Sequence, residues 1–236
     1  MKSMFLGTCR VQLPAAALRE RGLVAWAMRH RFNSPHQILQ FIDHVNGKRV
    51  VYNKHNVHMI SQYAHDEIKS DPNAPILDEI NGNLKKLMDS ADRFFVELST
   101  VREYLVDLGE GGSVYCDKLS APKNGNFVVL NSRQVLQVMT EIRQALNRPV
   151  TWISHIVPPV AAGLDTLILV RRNLANVVAV NAKNFGDPFI QPGEYAEALG
   201  SHSFFCDAGD FDHMSDEAVQ AMANVYQSMI ETPKVT

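Results

Sequence analysis

The sequence has no long apolar run, and no segment approaches the roughly 18 uninterrupted apolar residues of a membrane-spanning helix. Its first apolar stretch, Met4-Phe5-Leu6, stops at Gly7-Thr8 and is followed by Arg10. A secretory leader carries an apolar core of about 7–15 residues, so this stretch reads neither as a leader nor as a lipoprotein anchor on Cys9. Thr8 is also bulky for the residue preceding a lipid-modified cysteine. Cysteine is scarce. Cys9, Cys116 and Cys206 are an odd number without paired spacing, which argues against the even-numbered disulfide framework of a small secreted domain and suits a reducing cytoplasm. Excess charge is lacking too: 23 Lys and Arg face 25 Asp and Glu, for a net charge of −2. Arg171-Arg172 and the scattered lysines form no basic stripe, so neither nucleic acid nor an anionic membrane surface is expected as a partner. Internal repeats and low-complexity tracts are also absent.

What is present is the composition of a globular protein, 46% hydrophobic and 20% charged over 236 residues, enough to bury the core of one α/β domain. Met4–Gly7 reads as a short buried strand, and Pro14–Arg21 as a helix closed by Gly22. Ser34-Pro35 starts a helix to about Val45, ended by Gly47. Arg49–Tyr52 suits a strand, His55–Ile68 is helical in composition, and Ile76–Ala91 is a further helix. Arg93–Ser99 ("RFFVELS") is the clearest central strand. The glycine-rich stretch Gly109–Asn126 reads as a surface excursion. Asn131-Ser132 caps a long helix to Leu146, Pro149–Ser154 is a strand, and Leu164–Phe185 is helical. Pro188–Ile190 suits a last short strand, and a C-terminal helix is capped by Ser215.

Strands alternating with helices imply a mostly parallel sheet covered on both faces. The expectation is a single α/β domain over residues 1–236, with a helical excursion around 54–92 and a Gly-rich loop around 109–126. Ligand sites in such sheets lie beyond the carboxyl ends of the strands. Cys9, Ser99-Thr100-Arg102 and His155 each follow an expected strand directly, so one sheet edge collects them.

Near the C-terminus, Asp210-Phe211-Asp212-His213 precedes the Ser215 cap and an amphipathic helix. A carboxylate three residues before a histidine, in a tight loop, can accept the imidazole Nδ1–H and set its tautomer, leaving Nε2 to take a proton from a nucleophile. Asp212, adjacent to His213, is the less favourable partner on geometry, and Asp207 a lesser one still.

Gly7-Thr8-Cys9 at one end and Asp210-Phe211-Asp212-His213-Met214 at the other resemble the two sharp blocks of the SGNH (GDSL) hydrolase superfamily. Cysteine stands for serine, as in the GSCFA-type branch and in acetyltransferase-like proteins of polysaccharide biosynthesis. "VELSTVREY" and "VTWISHIVPP" are similar to strand-end segments of that branch. The resemblance implies a flavodoxin-like three-layer sandwich with a mostly parallel five-stranded sheet. It further implies Cys9 as nucleophile, His213 as its base and Asp210 as the residue orienting His213. Serine members bind the oxyanion through a glycine after the second strand and an asparagine after the third. Here no glycine lies between Gly47 and Gly82, and Ser99-Thr100 stands where Gly-x-Asn is expected. Asn53 or Asn56, the Cys9 backbone N–H, and Ser99, Thr100 or Arg102 are the candidate substitutes, with His155 a further substrate-side candidate.

A thiolate near neutral pH is a strong nucleophile once a histidine or helix N-terminus favours it, and its acyl product is a thioester. The expected activity is therefore acyl transfer, as an acyltransferase or an ester or thioester hydrolase. No bound cofactor is expected, but acyl-CoA or an acyl-carrier thioester would serve as co-substrate. Arg10 and Arg102 suit a phosphate or carboxylate of such a carrier, or else solvation or an ion pair. Two other readings stay open. One is a non-catalytic module binding an acyl donor, a glycan or a protein through the same cleft. The other is a metal site on the His55/His58/His65 face, although helical zinc sites more often use i, i+4 histidines. Cys116 and Cys206 read as packing or incidental.

Overall fold

In the computed structural model the described residues are 2–27, 32–48, 76–107, 113–116, 126–157, 166–200, 204–206 and 212–232. The chain opens with β1 (Ser3–Leu6), α1 (Cys9–Glu20), β2 (Val24–Ala27) and α2 (Pro35–Val45). Next come α3 (Ile76–Ser90), β3 (Arg93–Leu98), β4 (Arg102–Asp107), β5 (Ser113–Cys116) and β6 (Asn126–Val129). It closes with α4 (Ser132–Leu146), β7 (Val150–Ser154), α5 (Thr166–Phe185), β8 (Phe189–Ile190), α6 (Pro192–Leu199) and α7 (Asp216–Glu231). Among the described residues no helix is long and apolar enough to cross a membrane.

These elements fall into two compact units. The first comprises Met1–Met28, Ala91–Ser99 and Arg148–Thr236. Its sheet has five strands in the order β2-β1-β3-β7-β8, and every pairing is parallel. All residues of β1, β3 and β7 are buried, which explains why they are continuous runs rather than alternating ones: a parallel strand covered on both faces has no solvent side. Phe5 and Phe95 pair across β1 and β3, stack at 4.4 Å, and each receives the Tyr226 ring of α7 at 5.4 Å. α1 packs on α7, and α5 on β7 and β8.

The second unit comprises Arg29–Ser90 and Thr100–Asn147. β4 is the centre of an antiparallel sheet in the order β5-β4-β6, and α2 packs on α3, α4 and β5. Gln40 of α2 serves the β5 edge with both ends of its amide, accepting from the Tyr115 N–H at 3.1 Å and donating to the Tyr115 carbonyl. α4 is opened by a capping box in which Asn131 and Gln134 exchange side chain-to-backbone bonds, the N-cap residue and the residue three on each satisfying the other's backbone N–H.

Several expectations are corrected. Residues around 109–126 do not form only a loop, since β5 and the start of β6 fall within them. With β4 they form a sheet outside the parallel one. Residues 29–90 and 100–147, which include most of the stretches 54–92 and 109–126, make up the second compact unit. β2, β4 and α6 have no counterpart among the elements expected from sequence. The first helix starts at Cys9, five residues before Pro14, whose ring lies inside it. Proline prefers a helix's first turn because it lacks the N–H for an i→i−4 bond, and here the start is set elsewhere, by Thr8. The expected strand at 49–52 and helix at 55–68 lie outside the described residues.

Phe95 is fully buried between the stacked Phe5 ring and the tilted Tyr226 ring. Phe95→Ala is expected to cost about 3–5 kcal/mol of unfolding free energy, measured by urea titration, with the slope of the transition unchanged.

Candidate functional site

β1 ends at Leu6 and α1 begins at Cys9, so Gly7 and Thr8 alone make the turn. Gly7 has no room for a side chain: a Cβ there would stand 2.6 Å from the Glu97 Cβ and 2.7 Å from Val11 Cγ2. Thr8 is the N-cap residue, its hydroxyl oxygen accepting from the Arg10 N–H at 3.4 Å. The same hydroxyl donates to Glu97 Oε2 at 2.6 Å, and the Thr8 N–H donates to that oxygen at 2.7 Å. Arg10 Nε donates to Glu97 Oε1 at 2.9 Å. The Glu97 side chain has no solvent exposure. Burial alone pushes its carboxyl upward, but Arg10 and the Thr8 donors outweigh that and hold it below the usual glutamate value. Burial likewise disfavours the Arg10 cation, and Glu97 more than compensates, so both members stay charged.

Cys9 is half-buried as the first residue of α1. Of the amides in this turn, Thr8 N–H goes to Glu97, Arg10 N–H to the Thr8 hydroxyl, and Val11 and Gln12 N–H to the Thr8 carbonyl. Among the described residues the Cys9 N–H has no acceptor. It is one of the orphan donors that every helix N-terminus presents.

A second cluster is built around Asp212. Its carboxylate is paired with Arg171 of α5 and lies 3.4 Å from His155 Nε2, while its carbonyl accepts from Arg10 Nη1 at 3.5 Å. His155, immediately after β7, is buried, with Nδ1 2.9 Å from the Ile156 carbonyl. Burial pushes its imidazole below the ordinary value, against the opposing pull of Asp212. The His155 hydrogen bond and the Arg171 charge hold the Asp212 carboxyl well below the usual carboxylate range, although burial opposes them. Both nitrogens of His155 face oxygen atoms, the Ile156 carbonyl and the Asp212 carboxylate, which fix the orientation of the ring.

His213 is exposed and follows Asp212 directly. Its position is held from behind: its carbonyl accepts from the Cys206 N–H at 3.2 Å, and the Ser215 N–H donates to the Phe204 carbonyl at 2.9 Å. Phe205 and Met214 form an isolated bridge, after which the Ser215 hydroxyl caps α7 by accepting from the Ala218 N–H.

Of the residues named from sequence, the structure therefore brings Arg10, Asp212 and His155 into one linked set beside Cys9. Arg10 is an ion-pair partner in it, not a free cation. Ser99 is buried at the end of β3. Thr100 and Arg102 belong to the second unit, where the Thr100 hydroxyl accepts from the Arg102 N–H at 3.0 Å and the Arg102 guanidinium lies 5.0 Å over the Phe127 ring. Asn53, Asn56, Asp207 and Asp210 lie outside the described residues, as do His55, His58 and His65. Among the described residues no group of three or more His, Cys, Asp or Glu could hold a metal. The Cys116 thiol faces the Tyr104 carbonyl and the Cys206 thiol the Met214 carbonyl.

Sequence reasoning passed over Glu97 and Arg171. For Glu97 a signal existed: one carboxylate inside the otherwise apolar "RFFVELS" has to be buried with partners or not buried at all. No family model and no curated protein matches the chain. A solved crystal structure aligns over 98% of this chain and 99% of its own at 12% identity, with a TM-score of 0.39.

The lowered values fix the sign of the pH dependence. As pH falls through about 6.5 the unfolded chain protonates at position 155 before the folded one, so stability is lost from there downward. The Asp212 and Glu97 contributions are whole above their ordinary values of 3.8 and 4.5 and are lost as pH falls below them. Urea midpoints taken from about pH 8 to about pH 3 should fall in two steps. His155→Gln should shrink the upper step and Asp212→Asn the lower.

Proposed function

We propose that the carboxyl edge of the five-stranded sheet is an acyl-transfer site in which Cys9 is the nucleophile and His213 its base. The observation that carries this reading is the contact of Arg10 with the Asp212 carbonyl at 3.5 Å. Cys9 precedes one of these residues and His213 follows the other, so two positions 204 apart in sequence flank a single contact. The strand order supports it as well. Counted within the sheet alone, β2-β1-β3-β7-β8 is the 2-1-3-4-5 order of flavodoxin-like folds, with its switch point between β1 and β3. Gly7-Thr8-Cys9 and Glu97 stand at that point. On this reading the first unit is the SGNH-like three-layer sandwich that the two sequence blocks resemble.

The chemistry follows from the groups present. His213 takes the Cys9 thiol proton, and the thiolate attacks the carbonyl carbon of an ester or thioester. The Cys9 N–H donates to the oxyanion, a role that needs a donor not already spent. The C–O or C–S bond to the leaving group breaks, and the imidazolium returns its proton to the departing alcohol or thiol. Water, an alcohol or another thiol then attacks the Cys9 thioester, giving up its proton to His213; the acyl C–S bond to Cys9 breaks, and His213 returns the proton to the departing thiolate. The acceptor alone decides between hydrolase and transferase. Asp212 is committed to Arg171 and His155, which leaves Asp210 as the residue to orient His213.

Intact-mass spectrometry after incubation with a panel of acyl-CoAs should show one acyl group, mapped to Cys9. Cys9→Ala should abolish it with the fold retained, and Cys9→Ser should keep only slight turnover, since an alkoxide is harder to generate. His213→Ala should lose on the order of 10²–10⁴ in rate, and Asp210→Asn less than that. Full acyl-transfer activity in Cys9→Ala would overturn the reading.

A further inference from the structure

Resting on that reading, we infer that Glu97 is a positioning residue: its buried carboxylate clamps the residues on both sides of Cys9 and thereby aims the Cys9 N–H and thiol at one point. The geometry is unusually complete. One carboxylate oxygen takes both the N–H and the hydroxyl of Thr8, at 2.7 and 2.6 Å, and the other takes Arg10 Nε at 2.9 Å. Residue 8 is therefore held at backbone and side chain, and residue 10 at its side chain. Cys9 between them has no hydrogen bond to Glu97. The Glu97 Cβ also fills the space beside Gly7, so the turn rests on this residue sterically as well as through its charge.

The clamp explains why the amides of this turn are disposed as they are. Thr8 N–H would otherwise be a second free donor pointing from the same turn. Glu97 consumes it, and the Thr8 hydroxyl and carbonyl consume the N–H groups of Arg10, Val11 and Gln12. Among the described residues the amide of the residue that carries the thiol is left without an acceptor. Glu97 touches neither the thiol nor a reacting atom in this account. It acts through the orientation of its neighbours, and a displacement of about 1 Å at a reacting centre costs up to about 10²-fold in rate.

Two reactions of the same thiol separate positioning from general integrity. Alkylation by iodoacetamide needs an accessible thiolate but no oxyanion donor, whereas acylation by p-nitrophenyl acetate needs both. Each is followed at Cys9 by peptide mass spectrometry, because Cys206 is also exposed. Glu97→Gln should lower the acylation rate constant about 10–100-fold while leaving alkylation within about threefold. Removing one member of a buried ion pair is strongly destabilising, so Glu97→Gln can fail to fold. Thr8→Val, which keeps the Arg10–Glu97 pair but removes the hydroxyl, then carries the test, with the same split expected and Thr8→Ser restoring the wild-type ratio. A parallel fall of both rates in folded protein, or no change in either, overturns the inference. Wild-type protein that is alkylated but never acylated at Cys9 overturns the acyl-transfer reading itself, and this inference with it.

Discussion

A carboxylate with no solvent exposure, Glu97, sits near the carboxyl end of the sheet's central strand. Taking such a group out of water costs several kcal/mol unless partners replace the lost solvation. Three donors do so, and all come from the two residues flanking Cys9. The requirement runs both ways. Glu97 remains ionised because the β1–α1 turn closes over it, a close approach that leaves no room for a side chain at position 7, and the Thr8 hydroxyl adds one of its three donors. The early start of α1, ahead of Pro14, follows from this demand rather than from helix propensity.

Arg10 extends the same network to the other end of the chain. Its Nε serves Glu97 and its Nη1 reaches the Asp212 carbonyl. Asp212 in turn gathers Arg171 and His155. Each charge in this chain of contacts has a partner of opposite sign, which is the condition for keeping ions in partly desolvated surroundings. The segment before α7 is thus held at the sheet edge by ion pairs and hydrogen bonds, with His213 left exposed at its margin.

The second unit repeats the theme in its own terms. Glu103 of β4 is fully buried and is held by His36 at the start of α2, through the His36 N–H at 2.9 Å and Nδ1 at 2.5 Å. The His36 ring stacks on Tyr115 of β5 at 4.6 Å. One histidine therefore joins the helical layer of this unit to two strands of its sheet. On the far edge, β6 presents Phe127, Val128 and Val129 to solvent.

The sequence by itself determined what depends on neighbours a few residues apart. The buried runs of β1, β3 and β7 are continuous and mostly apolar, so their strand character is local. The caps at Asn131 and Ser215 lie three residues from the amides they serve, and the helices they open were legible with nearly correct bounds. Gly7-Thr8-Cys9 and Asp210–His213 stood out as blocks for the same reason. The β4–β6 sheet was hidden because its short strands are interspersed with glycine-rich sequence, which reads as a loop. The partners of Asp212 were hidden because Arg171 and His155 lie 41 and 57 positions away. Whether Asp212 orients a neighbouring histidine or pairs with a distant arginine is decided by which strands lie side by side, and so is the burial of Glu97. Those contacts close over 41 to 202 residues, and only the tertiary structure sets the distances on which an ion pair depends.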